Sequence, residues 1–291
     1  MWRDSLDNLP SIHPGLQHFT LKDDTRMTDA PAAGLRVDRR DGVLHLHLDR
    51  PPANAIHGPA SRAIGDLVLA FRDDPELRVL LFTAEGEKFF CPGWDMKAPD
   101  DDGLGGAVDM GVGGFGGFQD IRGLNKPIIF AINGICCGGG LEIALSADIL
   151  IASDRATFSF PEVRIGTHAP AAYIALPKRI PYHIAMEMLL TGRWFDAAEA
   201  YRWGLVSRVV PHDRLRDEAW AMARRLAKGP PLVQAATKEI VREAEDMTFQ
   251  DALNKVNTRQ LATVETLLPS EDRKEGPRAF LEGREPVFRG S

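Results

Sequence analysis

The sequence predicts an α/β fold followed by an all-helical C-terminal region. Three observations carry this. Short apolar runs alternate with segments of helical spacing from residue 35 to about residue 210. A glycine cluster, Gly134 to Gly140, joins one such run (KPIIFAIN) to a short helix. After Arg214 nearly every segment is helical in spacing, with a break at Gly229-Pro230-Pro231.

Residues 1–34 hold three prolines and mixed charges without a sustained period, and read as a loose extension. They contain no apolar signal-peptide core, and Met27 is an alternative start. LRVDRR, Asp41-Gly42 and VLHLHLD read as a β-hairpin. Its leucines take one face. His45 and His47 share the other, at metal-like spacing on a half-exposed strand, with no third ligand in view. RPPANAIHGPAS is a turn segment. Ile64, Leu67, Val68 and Phe71 then mark a helix, and RVLLFTA a buried strand. EGEKFFCPGWDMKA reads as a loop turning at Pro92-Gly93. Residues 100–118, rich in glycine and acid, suit a mobile lid, and QDIRGLN the end of a helix.

KPIIFAIN enters the glycine cluster, followed by a short helix carrying Glu142, a strand, a strand pair and Pro161-Glu162. Residues 167–192 read as a helix interrupted at Pro177 and Pro181, then a helix to Leu190. FDAAEAYRWG is a helix stopped at Gly204, and LVSRVV a strand.

The chain has 291 residues, 44% apolar and 26% charged, with a net charge of -6. The size allows a well-buried core. The acidic balance argues against nucleic acid as the main partner. Three cysteines, Cys91, Cys136 and Cys137, make a poor disulfide framework and fit a reducing cytoplasm. No apolar run is long enough to span a membrane.

The glycine cluster matches neither the G-x-G-x-x-G dinucleotide pattern nor a P-loop, because Gly-Leu-Glu closes it. It serves either tight helix-to-sheet packing or an oxyanion at the helix N-terminus. In the second case Gly139 supplies one N–H, and the Pro92-Gly93-Trp94 loop is placed to supply another. Glu142 and Glu162 both lie in apolar sequence, GLEIAL and FSFPEV. Burial there favours the protonated form, and two carboxyls at unlike pKa suit adding or removing water. No G-x-S-x-G occurs, and no convincing metal set.

At these residues the chain resembles the crotonase (enoyl-CoA hydratase/isomerase) superfamily. The likeness runs from Leu35 to the end. It rests on LDRPPANAI, GEKFFCPGWDMKA, NKPIIFAINGICCGGGLEIALSADI, FSFPEVRIG, LTGRWFDAAEAYRWGLVSRVV and SEDRKEGPRAFLEGREPVF. ANAI, FRDDPELRV and RWGLVSRVV are most similar to hydratases whose acyl group carries a trimethylammonium.

The resemblance implies a spiral of ββα repeats over residues 35–229 and a helical trimerisation region over 230–291. It implies homotrimers or dimers of trimers, and an acyl-CoA thioester substrate, with no cofactor beyond the substrate's own coenzyme A. It assigns the oxyanion hole to the N–H groups of Trp94 and Gly139, and catalysis to Glu142 and Glu162. Coenzyme A contacts fall on Asn54, Ala55, Ile56, Lys88 and Lys97. The family's Pro-x-x-Gly-Gly run is replaced by Thr167 to Tyr173, which brings His168 and Tyr173 to the acyl pocket. A trimethylammonium seeks aromatic faces, and Trp94, Phe115, Phe118 and Tyr173 are the candidates. Alternatives open to the same residues are enoyl-CoA isomerisation or other crotonase chemistry, and non-catalytic acyl-CoA binding.

Overall fold

The computed structural model describes residues 28–30, 33–98 and 109–291. Most of the expected N-terminal extension and the 100–108 part of the expected lid lie outside them. The hairpin is β2 (Leu35–Arg40) and β3 (Val43–Leu48), in register from Leu35↔Leu48 to Arg40↔Val43. Asp41 and Gly42 have φ of 54° and 72°, the left-handed pair that a two-residue turn between twisted strands requires. Ahead of it, β1 (Thr28–Ala30) pairs antiparallel with β2.

Helix α1 (Gly58–Asp73) crosses to β4 (Val79–Ala84), which lies parallel to β3. From there to β9 consecutive strands alternate between two sheets. β4, β6 (Ile128–Ile132), β8 (Ile149–Ser153) and β11 (Arg208–Val210) continue the first sheet in parallel, in the order β1-β2-β3-β4-β6-β8-β11. β5 (Phe89–Cys91), β7 (Ile135–Cys137), β9 (Thr157–Ser159) and β10 (Phe195–Asp196) form the second, in the order β10-β9-β7-β5. β6-β7 is followed by α2 (Gly139–Ala144) and β8-β9 by α3 (Glu162–Ile165). Each unit is thus a strand in each sheet and then a helix, the winding expected of a ββα spiral.

Both faces of the central strands β4, β6 and β8 are largely buried, which is why they read as near-continuous apolar runs. Leu44, Leu46, Phe82, Phe130 and Ile132 turn inward to the main core. Val43, Val79, Leu81, Ile129 and Ile151 turn to α7 (Leu215–Ala227), against Ala219, Trp220 and Ala223. His45 lies on that second face and is buried, not half-exposed, because α7 covers it; its ring stands 5.2 Å from Trp220. Burial, then the neighbouring His47, Arg216 and Arg40 charges, push its pKa down to about 3. Both histidines bond Thr83 Oγ1, at 2.8 and 2.6 Å, rather than facing a metal position.

Other expectations change. The 85–98 segment contains β5. QDIRGLN is not helical; a single 3-10 turn, Phe115–Gly117, precedes it and packs into the core. One strand, not a pair, stands between β8 and Glu162. Pro177 sits inside α4 (Pro170–Arg179), and the chain breaks only before α5 (Tyr182–Thr191). Pro177 removes the helical bond to the Tyr173 carbonyl, and Tyr173 is itself exposed.

After α6 (Ala197–Arg202) and α7, the helices α8 (Pro231–Ala244), α9 (Phe249–Asn257) and α10 (Ala262–Leu267) share a small core of Ala236, Leu261 and Val264. Helix α11 (Glu271–Glu282) ends the fold. Lys238 ties α8 to the sheet through Asp148 Oδ2 and the Lys126 carbonyl, both at 2.8 Å. No described helix is long and apolar enough to cross a membrane.

Candidate active site

Three parallel strands of the second sheet end side by side. β5 pairs with β7 (Phe89↔Ile135, Cys91↔Cys136), and β7 with β9 (Cys137↔Ser159). Their C-terminal exits carry Pro92-Gly93-Trp94, Gly138-Gly139 with α2, and Pro161-Glu162. The carboxyl edge of parallel strands is where open α/β sheets place ligands. Residues far apart in sequence meet here because the strands are neighbours.

The first two exits are pressed together. A Cβ on Gly93 would fall 2.7 Å from Gly139 N, and Gly93 has φ of 101°, so glycine is required twice over. Ile56 N–H donates to the Gly93 carbonyl and Asp95 N–H to the Ile56 carbonyl, both at 2.8 Å. Strand alternation then turns Trp94 N–H to the opposite side of its strand. Gly139 opens α2, where the first N–H groups have no intrahelical acceptor and carry the positive end of the helix dipole. Phe115 covers this helix start: a Cβ on Gly139 would lie 2.4 Å from Phe115 Cε1. Its ring centroid stands 6.1 Å from that of Trp94.

Asn54 and Arg50 brace the Trp94 loop. Asn54, at φ of 61°, donates to the Glu85 and Phe89 carbonyls at 2.9 and 3.1 Å and accepts from Arg50 N–H at 3.0 Å. The side chain of Asn54 is therefore spent on holding the loop. Arg50 donates to the Ala55 carbonyl and to Asp95 Oδ2, linking segment 54–56 to segment 92–97. The sequence does not mark Arg50 for this link.

Glu142 lies in the first turn of α2 and Glu162 opens α3; they are 6% and 5% exposed. Glu142 Oε1 accepts from Ala171 N–H at 2.9 Å and Ala172 N–H at 3.4 Å, the first turn of α4. Pro170 at the head of α4 has no N–H, so the next two donors reach the carboxylate. Burial raises the Glu142 pKa, opposed by those two N–H groups, the Gln119 amide and the His168 charge. Glu162 has a buried Oε2 without a hydrogen-bond partner among the described residues. Burial raises its pKa, its own N–H opposes this, and the Glu142 charge raises it further. The two carboxyls are thus near enough for their charges to interact.

The other candidates divide. Phe115 packs on Gly139 and beside Trp94. Phe118 does not: it is 4% exposed and packs at 5.1 Å from Phe130 and 5.6 Å from Phe82, a core residue rather than a pocket wall. His168 is exposed and near enough to act on Glu142. Tyr173 is 40% exposed. Ile56 is buried behind Trp94, Ala55 uses its carbonyl on Arg50, and Lys88 and Lys97 are exposed on either side of the Trp94 loop. Lys88, Asn54, Pro51 and Pro52 line a depression of about 160 Å³. Among the described residues no group of three His, Cys, Asp or Glu side chains could hold a metal. The cysteines are free and buried, with Cys91 raised by burial to about 12.

Residues 38–291 match the family model described as "Enoyl-CoA hydratase/isomerase". The chain belongs to the enoyl-CoA hydratase/isomerase family. As a member of this family it is 44% identical over 257 residues to the carnitinyl-CoA dehydratase of Citrobacter koseri, covering 88% of this chain and 98% of that protein. Its structure is similar to enoyl-CoA hydratase from Bacillus anthracis (TM-score 0.80, 28% identity, 89% of this chain and 100% of that one). It is also similar to enoyl-CoA hydratase from Mycobacterium tuberculosis (TM-score 0.76, 32% identity, 89% and 100%). The shared crotonase fold places the ββα winding and the strand exits in the family's frame.

Proposed function

We propose that the strand-exit site adds water across the C2–C3 bond of a 2-enoyl-CoA, and removes it from the 3-hydroxyacyl-CoA in reverse. The observation that carries this is the pair of buried carboxylates with unlike partners beside a helix N-terminus. The thioester oxygen lies between the Trp94 and Gly139 N–H groups. Glu142 takes a proton from water as its oxygen bonds to C3. The C2–C3 π electrons move toward the thioester, whose oxyanion the two N–H groups stabilise. Glu162 gives its proton to C2. The proton gained by Glu142 and that lost by Glu162 are re-equilibrated through solvent. Atoms and electrons balance without a redox cofactor or metal, and coenzyme A enters only as part of the substrate.

The acyl group is crotonobetainyl. The name of the 44%-identical relative and the half-buried Trp94–Phe115 pair support this, since aromatic faces attract a quaternary ammonium. Lys88 and Lys97 contribute charge toward the coenzyme A phosphates, with Asn54, Ala55 and Ile56 shaping the loop between them. Residues 230–291 form the trimerisation region of a homotrimer or dimer of trimers. The exposed Phe249, Phe280 and Leu281 of α9 and α11 support an assembly contact. The three free thiols support a cytoplasmic setting.

Purified protein with crotonobetainyl-CoA or crotonyl-CoA, followed by loss of the enoyl-thioester absorbance, tests the reading. Both turn over, and kcat/KM favours crotonobetainyl-CoA by about 10-fold, the scale of one desolvated cation–π contact. Saturable binding without turnover of either overturns the hydro-lyase reading. A preference for crotonyl-CoA overturns the acyl group alone.

A further inference from the structure

Nothing in the sequence marks Gln119, yet the fold delivers it to Glu142. The turn Phe115–Gly117 lies along one face of α2. Phe115 rests on Gly139, and a Cβ on Gly116 would meet Ile143 Cγ2 at 2.2 Å. Positions 139, 142 and 143 share that helix face. The turn is pinned from behind by Ser61 Oγ, which accepts from Gly116 N–H at 3.0 Å. It is pinned also by glycine-on-glycine packing, where a Cβ on Gly117 would meet Gly65 N at 2.4 Å. Gln119 N–H then donates to the Gly113 carbonyl at 2.9 Å, folding the chain back at the end of the turn. The Gln119 Nε2 is buried, with no hydrogen-bond partner among the described residues. A buried amide donor without an acceptor is costly and persists where it has a task. Glu142 Oε1 is already held by two backbone donors, and its other oxygen has no such donor among the described residues.

We propose that Gln119 is a positioning residue for the hydration step. One N–H of its amide is directed to the second oxygen of Glu142. The other holds the water, or the 3-hydroxyl in reverse, that Glu142 deprotonates over C3. The pull of this amide on the Glu142 pKa, against burial, agrees with that placement. The proposal rests on Glu142 being the base.

The test compares Gln119→Met, which keeps volume and loses the amide, and Gln119→Glu, which keeps shape, with the parent and Glu142→Gln. Hydration of crotonyl-CoA is measured from pH 5 to 9. Gln119→Met loses on the order of 10- to 100-fold in kcat, the size expected for one hydrogen bond to a charged group, with KM nearly unchanged. Its acid limb moves to higher pH, because the ionised base has lost a donor. Gln119→Glu loses more, since a second carboxylate then faces Glu142. In a Glu142→Gln background Gln119→Met costs little further. An unmoved acid limb, a parental kcat, or full additivity in the double variant overturns the proposal. Parental turnover by Glu142→Gln would show instead that the assignment of the base is wrong.

Discussion

Glu142 and Glu162 leave neighbouring strands of one sheet and are almost equally buried, yet they are held in opposite ways. Glu142 faces the start of α4 and takes two backbone N–H donors. Glu162 keeps one buried oxygen without a hydrogen-bond partner among the described residues and feels the charge of Glu142. Burial alone would raise both pKa values alike. The donors favour the ionised form of Glu142, and the like charge favours the protonated form of Glu162. One environment suits a base and the other an acid, so the difference between two short stretches of backbone divides the chemistry.

Removing either carboxylate tests that division most strongly. Glu142→Gln and Glu162→Gln each lower kcat for hydration by about 10²–10⁴, the range of a general acid or base, while acyl-CoA affinity by calorimetry stays near parental. Near-parental turnover in either variant breaks the assignment. Gly139→Ala comes next. Its methyl meets Phe115 and crowds the N–H, so kcat falls by about 10²–10³. A normal kcat would move the oxyanion hole elsewhere.

Arg50→Lys has a smaller effect. It breaks the link from Ala55 to Asp95, and kcat falls about 10-fold without loss of fold, because one ammonium cannot span both acceptors. Unchanged kinetics would show that the Trp94 loop holds itself.

The smallest effect is on stability. The Glu162 pKa is raised in the folded state, so its contribution is present below the unfolded pKa and lost as pH rises through the folded one. Glu162→Gln removes that loss. Its melting temperature exceeds the parent's by about 2–4 °C at pH 8 and matches it at pH 4. Equal melting temperatures at both pH values would mean that Glu162 is not strained by burial.

Local chemistry was legible in the sequence wherever it was written in adjacent residues. Asp41-Gly42 announces its turn, and the apolar settings of Glu142 and Glu162 announce their burial. What depends on distant partners was not. β5 is three residues long and is a strand only because β7 lies beside it. His45 is buried by α7, which follows much later in the chain. Phe115 and Phe118 look alike in a glycine-rich run, but Gly116 and Gly117, at φ of 68° and 80°, turn the chain between them. One ring goes to Gly139 and the other to the core. Arg50 acts through bonds to other segments, which no local pattern reveals.

The division of labour between the two carboxylates is tested most directly by exchange of the C2 protons of butyryl-CoA in D2O, followed by NMR. This step needs the group that handles C2 and no water attack at C3. Glu142→Gln retains deuterium incorporation at C2 although hydration is lost, and Glu162→Gln loses both. Exchange that survives in Glu162→Gln and vanishes in Glu142→Gln would contradict the account.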